Sequence, residues 1–222
     1  MRINIDQFHF ELSINRIVRY FIAADLTVLA GWGLADPILA IFVVDKIPGA
    51  TLLTIGVMAA IYWIVKSIIQ IPISLFLDRT DGEKDDFYAV VVGLLVASVT
   101  MFSFMAATSV THLYIIQFIK ALAFGLYVPA WAAIVSRHLD KDKVAFEWAL
   151  SSTSVGLSIG VAGLAGSWVA KYSFDLVFLL GGFLCLISAL ILLLVPDLIL
   201  PQKKGEISES VMKDHRPVSI QK

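Results

Sequence analysis

The chain has 222 residues, of which 59% are hydrophobic and 16% charged, with a net charge of −1 and a mean hydropathy of +0.85. A soluble domain carries about 25% charged residues, so this composition argues against a soluble globule. Near-neutral charge removes the basic field that a nucleic-acid partner needs. The single cysteine, Cys185, excludes both an intramolecular disulfide and a cysteine metal cluster.

In chain order, the first segment (1–17) is too polar for a cleaved signal peptide. Its Phe8, Phe10, Leu12 and Ile14 alternate with polar residues and suggest a cytoplasmic surface segment at the headgroups. Six apolar stretches follow, at about 18–44, 50–77, 87–107, 113–136, 146–170 and 174–195. Each is long enough to cross a hydrocarbon core of about 30 Å as a helix. The connections are short, and the stretch 196–222 reads as a polar cytoplasmic tail. The predicted fold class is therefore all-α, a polytopic membrane protein with six transmembrane helices.

Basic residues set the orientation. With a cytoplasmic N-terminus, thirteen lysines and arginines lie inside and two, Lys46 and Lys171, outside. Both termini are expected in the cytoplasm of a cell bounded by this plasma (inner) membrane.

Lys66, Lys120, Asp25 and Asp36 remain, all within spans. Each charge at mid-bilayer costs roughly 2.5–3.5 kcal/mol on insertion scales, so the four are expected to share one wet interior. Helical spacing gathers them into stripes. Asp25, Leu29, Trp32 and Asp36 share a face of the first span. Tyr62, Lys66 and Gln70 share one of the second, with Trp63 adjoining. Gln117, Lys120, Phe124, Tyr127 and Trp131 mark the fourth, and Glu147, Ser151, Ser154 and Ser158 the fifth. The third and sixth have no charge in their interior. The order is polar, polar, apolar, twice over, as a 3+3 inverted repeat in a transporter half requires. Spans one, two, four and five then line a cavity, and three and six face lipid.

Depth along the spans pairs Asp36 with Lys120 in the outer half and Asp25 with Lys66 in the inner half. Lys66 reads as a substrate or coupling residue, with a structural ion pair as the plainer alternative. Asp36 reads equally as a protonation site or as a permanent partner of Lys120. Tyr62, Trp63, Trp131, Tyr127 and Trp32 offer an aromatic lining, with helix packing or an interface belt as the plainer alternative, and Gln70 and Gln117 buried amides that need partners. Pro37 beside Asp36 is expected to kink the first helix, and Pro129 places a proline in the fourth. His138, Asp140, Asp142 and Glu147 alternate with Arg137, Lys141 and Lys143, a charged loop and not a metal set. No cofactor is expected, and no nucleophile–base set suggests an enzyme.

The run Ser74-Leu75-Phe76-Leu77-Asp78-Arg79-Thr80-Asp81-Gly82-Glu83-Lys84 resembles the G-x-L-a-D-r-x-G-r-k loop of the major facilitator superfamily. Asp78-Arg79 supplies its core, Ser74 replaces the first glycine, one residue is inserted before Gly82, and the basic end is partly acidic. Gln117, Lys120 and Ala121, eight residues before Pro129, are similar to that family's R-x-x-q-G, with the basic group displaced by almost one turn. Gly156, Gly160, Gly163 and Gly166 resemble its glycine-rich fifth helix without the proline. The resemblance implies a half-length six-helix member that rebuilds twelve helices as a homodimer. It would transport a small molecule by alternating access, with or without protons, with Asp78 and Arg79 gating the cytoplasmic side. A chain beginning with Met and ending in a polar tail is expected to be a natural half. The rival readings are a non-transporting receptor or assembly module and a lipid scramblase.

Overall fold

The computed structural model describes residues 15–79, 83–139 and 143–194. Most of the N-terminal segment (1–14), the whole 196–222 tail, and Asp140 and Asp142 lie outside them. The described residues form six α-helices: α1 (Arg16–Lys46), α2 (Leu52–Leu77), α3 (Lys84–Ser103), α4 (Val110–His138), α5 (Val144–Ala170) and α6 (Phe174–Leu193). A short 3-10 turn, Phe104–Ala106, extends α3. All six are long and apolar enough to cross a membrane, matching the six expected spans to within a few residues. Only helices or closed barrels satisfy their backbone groups inside hydrocarbon, which is why apolar runs of this length fold this way.

Local chemistry sets the ends. The Asn15 side chain accepts from the Ile17 amide at 3.0 Å and donates to the His138 carbonyl at 3.2 Å, tying the start of α1 to the end of α4. After α1, Pro48 and Gly49 (φ +76°) make a turn that needs a residue without a Cβ. Thr54 Oγ1 accepts from the Thr51 amide at the start of α2. Ser109 and Ser173 cap α4 and α6 by accepting from the His112 and Leu176 amides.

The packing follows a simple order. α1 lies against α5 and α6, α4 against α2 and α3, and α3 joins α6. Exchanging α1 with α4, α2 with α5 and α3 with α6 carries these five packings onto themselves. The crossings are close because small residues sit at them. A Cβ on Gly31 would lie 2.7 Å from the Gly181 carbonyl oxygen, and one on Gly181 2.8 Å from that of Gly31, so α1 and α6 touch backbone to backbone. Serines add interhelical bonds to carbonyls: Ser98 to Gly182 (2.9 Å), Ser188 to Ala24 (2.6 Å) and Ser158 to Leu26 (3.2 Å). Phe104 stacks on Phe178 at 5.2 Å, and Phe42 meets Phe178 edge-on at 4.8 Å, filling the core near the α3–α4 connection.

Two expectations change. α3 and α6 do carry apolar outward stripes (Val92 and Val99; Phe183 and Ile187), but their other faces form the middle of the bundle. The barest helices are α2 and α5, which expose Ile64, Ile68 and Ile71, and Leu157, Val161 and Leu164. They stand at the two ends of the packing order, where each has one close neighbour. The serine face of α5, expected to line the cavity, packs on α1, with Glu147 and Ser151 buried and Ser158 bonded to the Leu26 carbonyl. Pro37 lies inside α1, as its place in the first span implies, and packs against Gly163 of α5.

The α1–α5 crossing is directly testable. A Cβ on Gly166 would collide with the Leu34 backbone, whereas one on Gly160 meets nothing within 4 Å. Gly166→Ala is expected to destabilise by about 1–3 kcal/mol, the usual cost of overpacking. Gly160→Ala should be neutral or slightly stabilising. Thermal unfolding of both variants in one detergent measures the contrast.

Candidate functional site

Three helices bring a polar group to one level. Asp36 lies ten residues before the end of α1, Tyr62 ten after the start of α2 and Lys120 ten after the start of α4. At 1.5 Å per residue, each is about 15 Å from the same end of the bundle. Between them lies a cavity of 260 Å³, bordered by Asp36, Tyr62, Trp63, Gln117 and Lys120. Leu39, Val43, Ile55 and Met58 give it apolar walls.

Lys120 is its centre. The residue is only 8% exposed, yet its ammonium is well surrounded. Nζ stands 3.4 Å from the centroid of the Trp32 ring and 5.0 Å from that of Tyr62. It also reaches Asp36 Oδ1 at 3.8 Å, the expected outer pair. The two partners are unequal, because the Asp36 side chain is 57% exposed and faces the cavity mouth. Phe124 holds the cage in place, edge-on to both Trp32 (5.9 Å) and Tyr62 (6.2 Å).

Lys66 lies one turn beyond Tyr62 and does not pair with Asp25. Its Nζ is 5.0 Å from the Trp63 centroid and 5.7 Å from that of Tyr62. No carboxylate lies within ion-pair distance of it among the described residues. Asp25 instead accepts a 2.6 Å bond from the Tyr127 hydroxyl, buried between α1 and α4. The reason is geometric: α2 packs on α4 and barely touches α1, so a lysine on α2 cannot reach inward to Asp25. Trp131 lies deeper still, its Nε1 donating weakly to the Phe21 carbonyl at 3.5 Å and its ring edge-on to Trp148. Gln70 is partly buried one turn past Lys66. The expected set thus divides into an outer group at the cavity and an inner Asp25–Tyr127 group beneath it.

Trp32, expected in the aromatic lining, is buried beside Lys120 as its nearest aromatic face and does not itself line the cavity. A tryptophan beside an intramembrane aspartate on one face was the signal for it. Leu39, Ile55 and Met58 carried no signal, since apolar residues on apolar helices look alike.

Asp78 and Arg79 are exposed at the end of α2, and the loop reading continues into residues 80–82, outside the described ones. The neighbouring charges are engaged. Arg137 at the end of α4 pairs with the fully buried Asp86 of α3, and His138 Nε2 approaches Glu83 Oε2 at 3.6 Å. Among the described residues no group of histidine, cysteine or carboxylate side chains is arranged to hold a metal ion.

Asp36→Asn leaves a buried ammonium without its carboxylate, whereas Lys120→Met leaves a carboxylate that water can reach. The first should therefore cost more stability than the second. A coupling of about 0.5–3 kcal/mol is expected between the two sites. A double-mutant cycle on thermal unfolding measures it.

A family model described as Major Facilitator Superfamily matches residues 22–220. No curated protein matches the sequence. One similar solved structure is described as the in meso crystal structure of the POT family transporter PepTSo, with a TM-score of 0.66 and 14% identity. The match covers 87% of this chain and 40% of that one, so this chain spans less than half the transporter's length. At that identity the likeness concerns the fold alone. The family model, in contrast, extends over nearly the whole sequence, and the chain belongs to the major facilitator superfamily.

Proposed function

We infer that the chain carries a small molecule across the plasma (inner) membrane by alternating access, two copies together forming the pathway. The observation that carries this reading is the cavity at the Asp36–Tyr62–Lys120 level, where an ion pair stands about 15 Å from the end of a largely apolar bundle. Intramembrane charges are costly unless they serve a hydrated path or one another. Here the pair does both, with Lys120 buried and Asp36 open to the cavity mouth.

The bare helices support the second copy. α2 and α5 each have one close neighbour, and α2 borders the cavity, so one chain supplies only part of a wall. The self-mapping exchange of α1–α3 with α4–α6 supports an inverted repeat, the arrangement in which transporter halves rock about a midplane site. Asp78 and Arg79 then gate the cytoplasmic end beside the Arg137–Asp86 and His138–Glu83 pairs, with both termini on that side. Proton coupling would act at Asp36, since a proton there removes the charge that holds Lys120.

The stoichiometry decides the two-copy reading. Particles extracted directly into a native-like membrane mimic should contain two chains by mass. A single chain per particle overturns the reading. Topology is checked separately, with reporter fusions at each end expected to be active only in the cytoplasm.

A further inference from the structure

The surroundings of the cavity are unevenly charged. Lys120 lines it, and Lys66 stands over two of its lining rings, 5.0 Å from the Trp63 centroid and 5.7 Å from that of Tyr62, the ring that Lys120 also approaches at 5.0 Å. One carboxylate, Asp36, stands at that level and is engaged with Lys120. The other intramembrane carboxylate, Asp25, is held by Tyr127 in the inner group. Lys66 therefore has aromatic faces beside it and no ion-pair partner among the described residues. A half-buried cation whose neighbours are Tyr62 and Trp63 lowers its energy by taking an anion that brings its own apolar body.

We propose that the cavity binds a small organic monoanion, its carboxylate or equivalent acid group on Lys66 and its apolar body against Tyr62, Trp63 and Met58. The proposal rests on the cavity being the substrate site and adds the class of substrate. Charge arithmetic selects one negative charge: two ammonium groups less one carboxylate leave a single positive charge to be met. A cation would face two lysines for one engaged aspartate. A neutral molecule would leave Lys66 as it is. The volume of 260 Å³ and the walls of Leu39, Val43 and Ile55 suit a compact aliphatic or aromatic body. Gln117 and the Tyr62 hydroxyl offer further hydrogen bonds at the same level.

The test uses probes of one size and three charges: phenylacetate, phenylacetamide and phenethylamine, with a series of short alkyl carboxylates alongside. Binding to the purified 222-residue chain in nanodiscs is read from tryptophan fluorescence, because Trp63 lines the cavity and Trp32 lies against the Lys120 ammonium. Saturable binding of one or more carboxylates, at least about tenfold tighter than the matched amide and amine, is expected. Lys66→Gln should weaken that binding about tenfold, and Lys66→Arg should restore most of it. Ala59→Phe, which adds bulk at an exposed position of the lining, should block it without disturbing the core.

Each contrary result has a distinct meaning. Tighter binding of the amine or amide, or no saturable binding by any carboxylate, overturns the monoanion while leaving the cavity as the substrate site if Ala59→Phe removes whatever does bind. Carboxylate binding that survives Ala59→Phe overturns both, since the anion is then held elsewhere. Unchanged carboxylate affinity in Lys66→Gln, together with loss of the two-chain particle, assigns Lys66 to the contact between copies and overturns its role here.

Discussion

An ammonium group cannot stand alone in the middle of a hydrocarbon layer, and the way Lys120 avoids this shapes the centre of the molecule. Its charge needs a carboxylate and an aromatic face at once. Asp36 and Trp32, four residues apart on α1, provide both. Tyr62 of α2 closes the third side. Three helices are thereby held at a common depth although α1 touches α2 and α4 only lightly. The cavity is what remains between helices kept apart by a charge and brought near by its partners.

The rest of the bundle serves as the frame for that arrangement. In a membrane there is little hydrophobic gain in burying one apolar helix against another, so association relies on close packing and interhelical hydrogen bonds. Gly31 and Gly181 let two backbones touch, and Ser98, Ser158 and Ser188 each bond a carbonyl of the next helix. These contacts join α1, α3, α5 and α6 into a closely packed back. α2 meets α4 more openly, with Gly125 facing Ile69 and the Lys66 carbonyl. The cavity thus lies on the side of the molecule where one wall, α2, is tied to a single neighbour.

Charge placement at the two ends differs in kind. At the cytoplasmic end expected from the basic residues, Asn15, Arg137–Asp86 and His138–Glu83 link α1, α3 and α4 through short polar contacts. Breaking the Arg137–Asp86 pair would leave a fully buried carboxylate unpaired, which is costly. The opposite end closes with turns and caps. On the alternating-access reading proposed above, this end, which also carries Asp78 and Arg79, is the one that such a polar clasp would close.

Much was legible without coordinates. The six spans, their order, the polar faces of α1, α2 and α4, and the outer Asp36–Lys120 pair all follow from hydropathy and helical spacing. These are properties of a segment and its neighbours along the chain, and hydrocarbon leaves the backbone no alternative to helix. Which helix stands beside which was decided in three dimensions. A face known to be polar does not reveal whether it meets water or another helix, so the serine face of α5 turned onto α1 and Asp25 went to Tyr127, not Lys66. The apolar wall of the cavity was equally beyond reach, since Leu39 and Met58 differ from their lipid-facing counterparts only in position. The sequence by itself determined the number, length and polar stripes of the helices, because those depend on local periodicity. Tertiary structure alone decided the partners of each charge and the shape of the cavity, because those depend on how helices cross where glycine lets them approach.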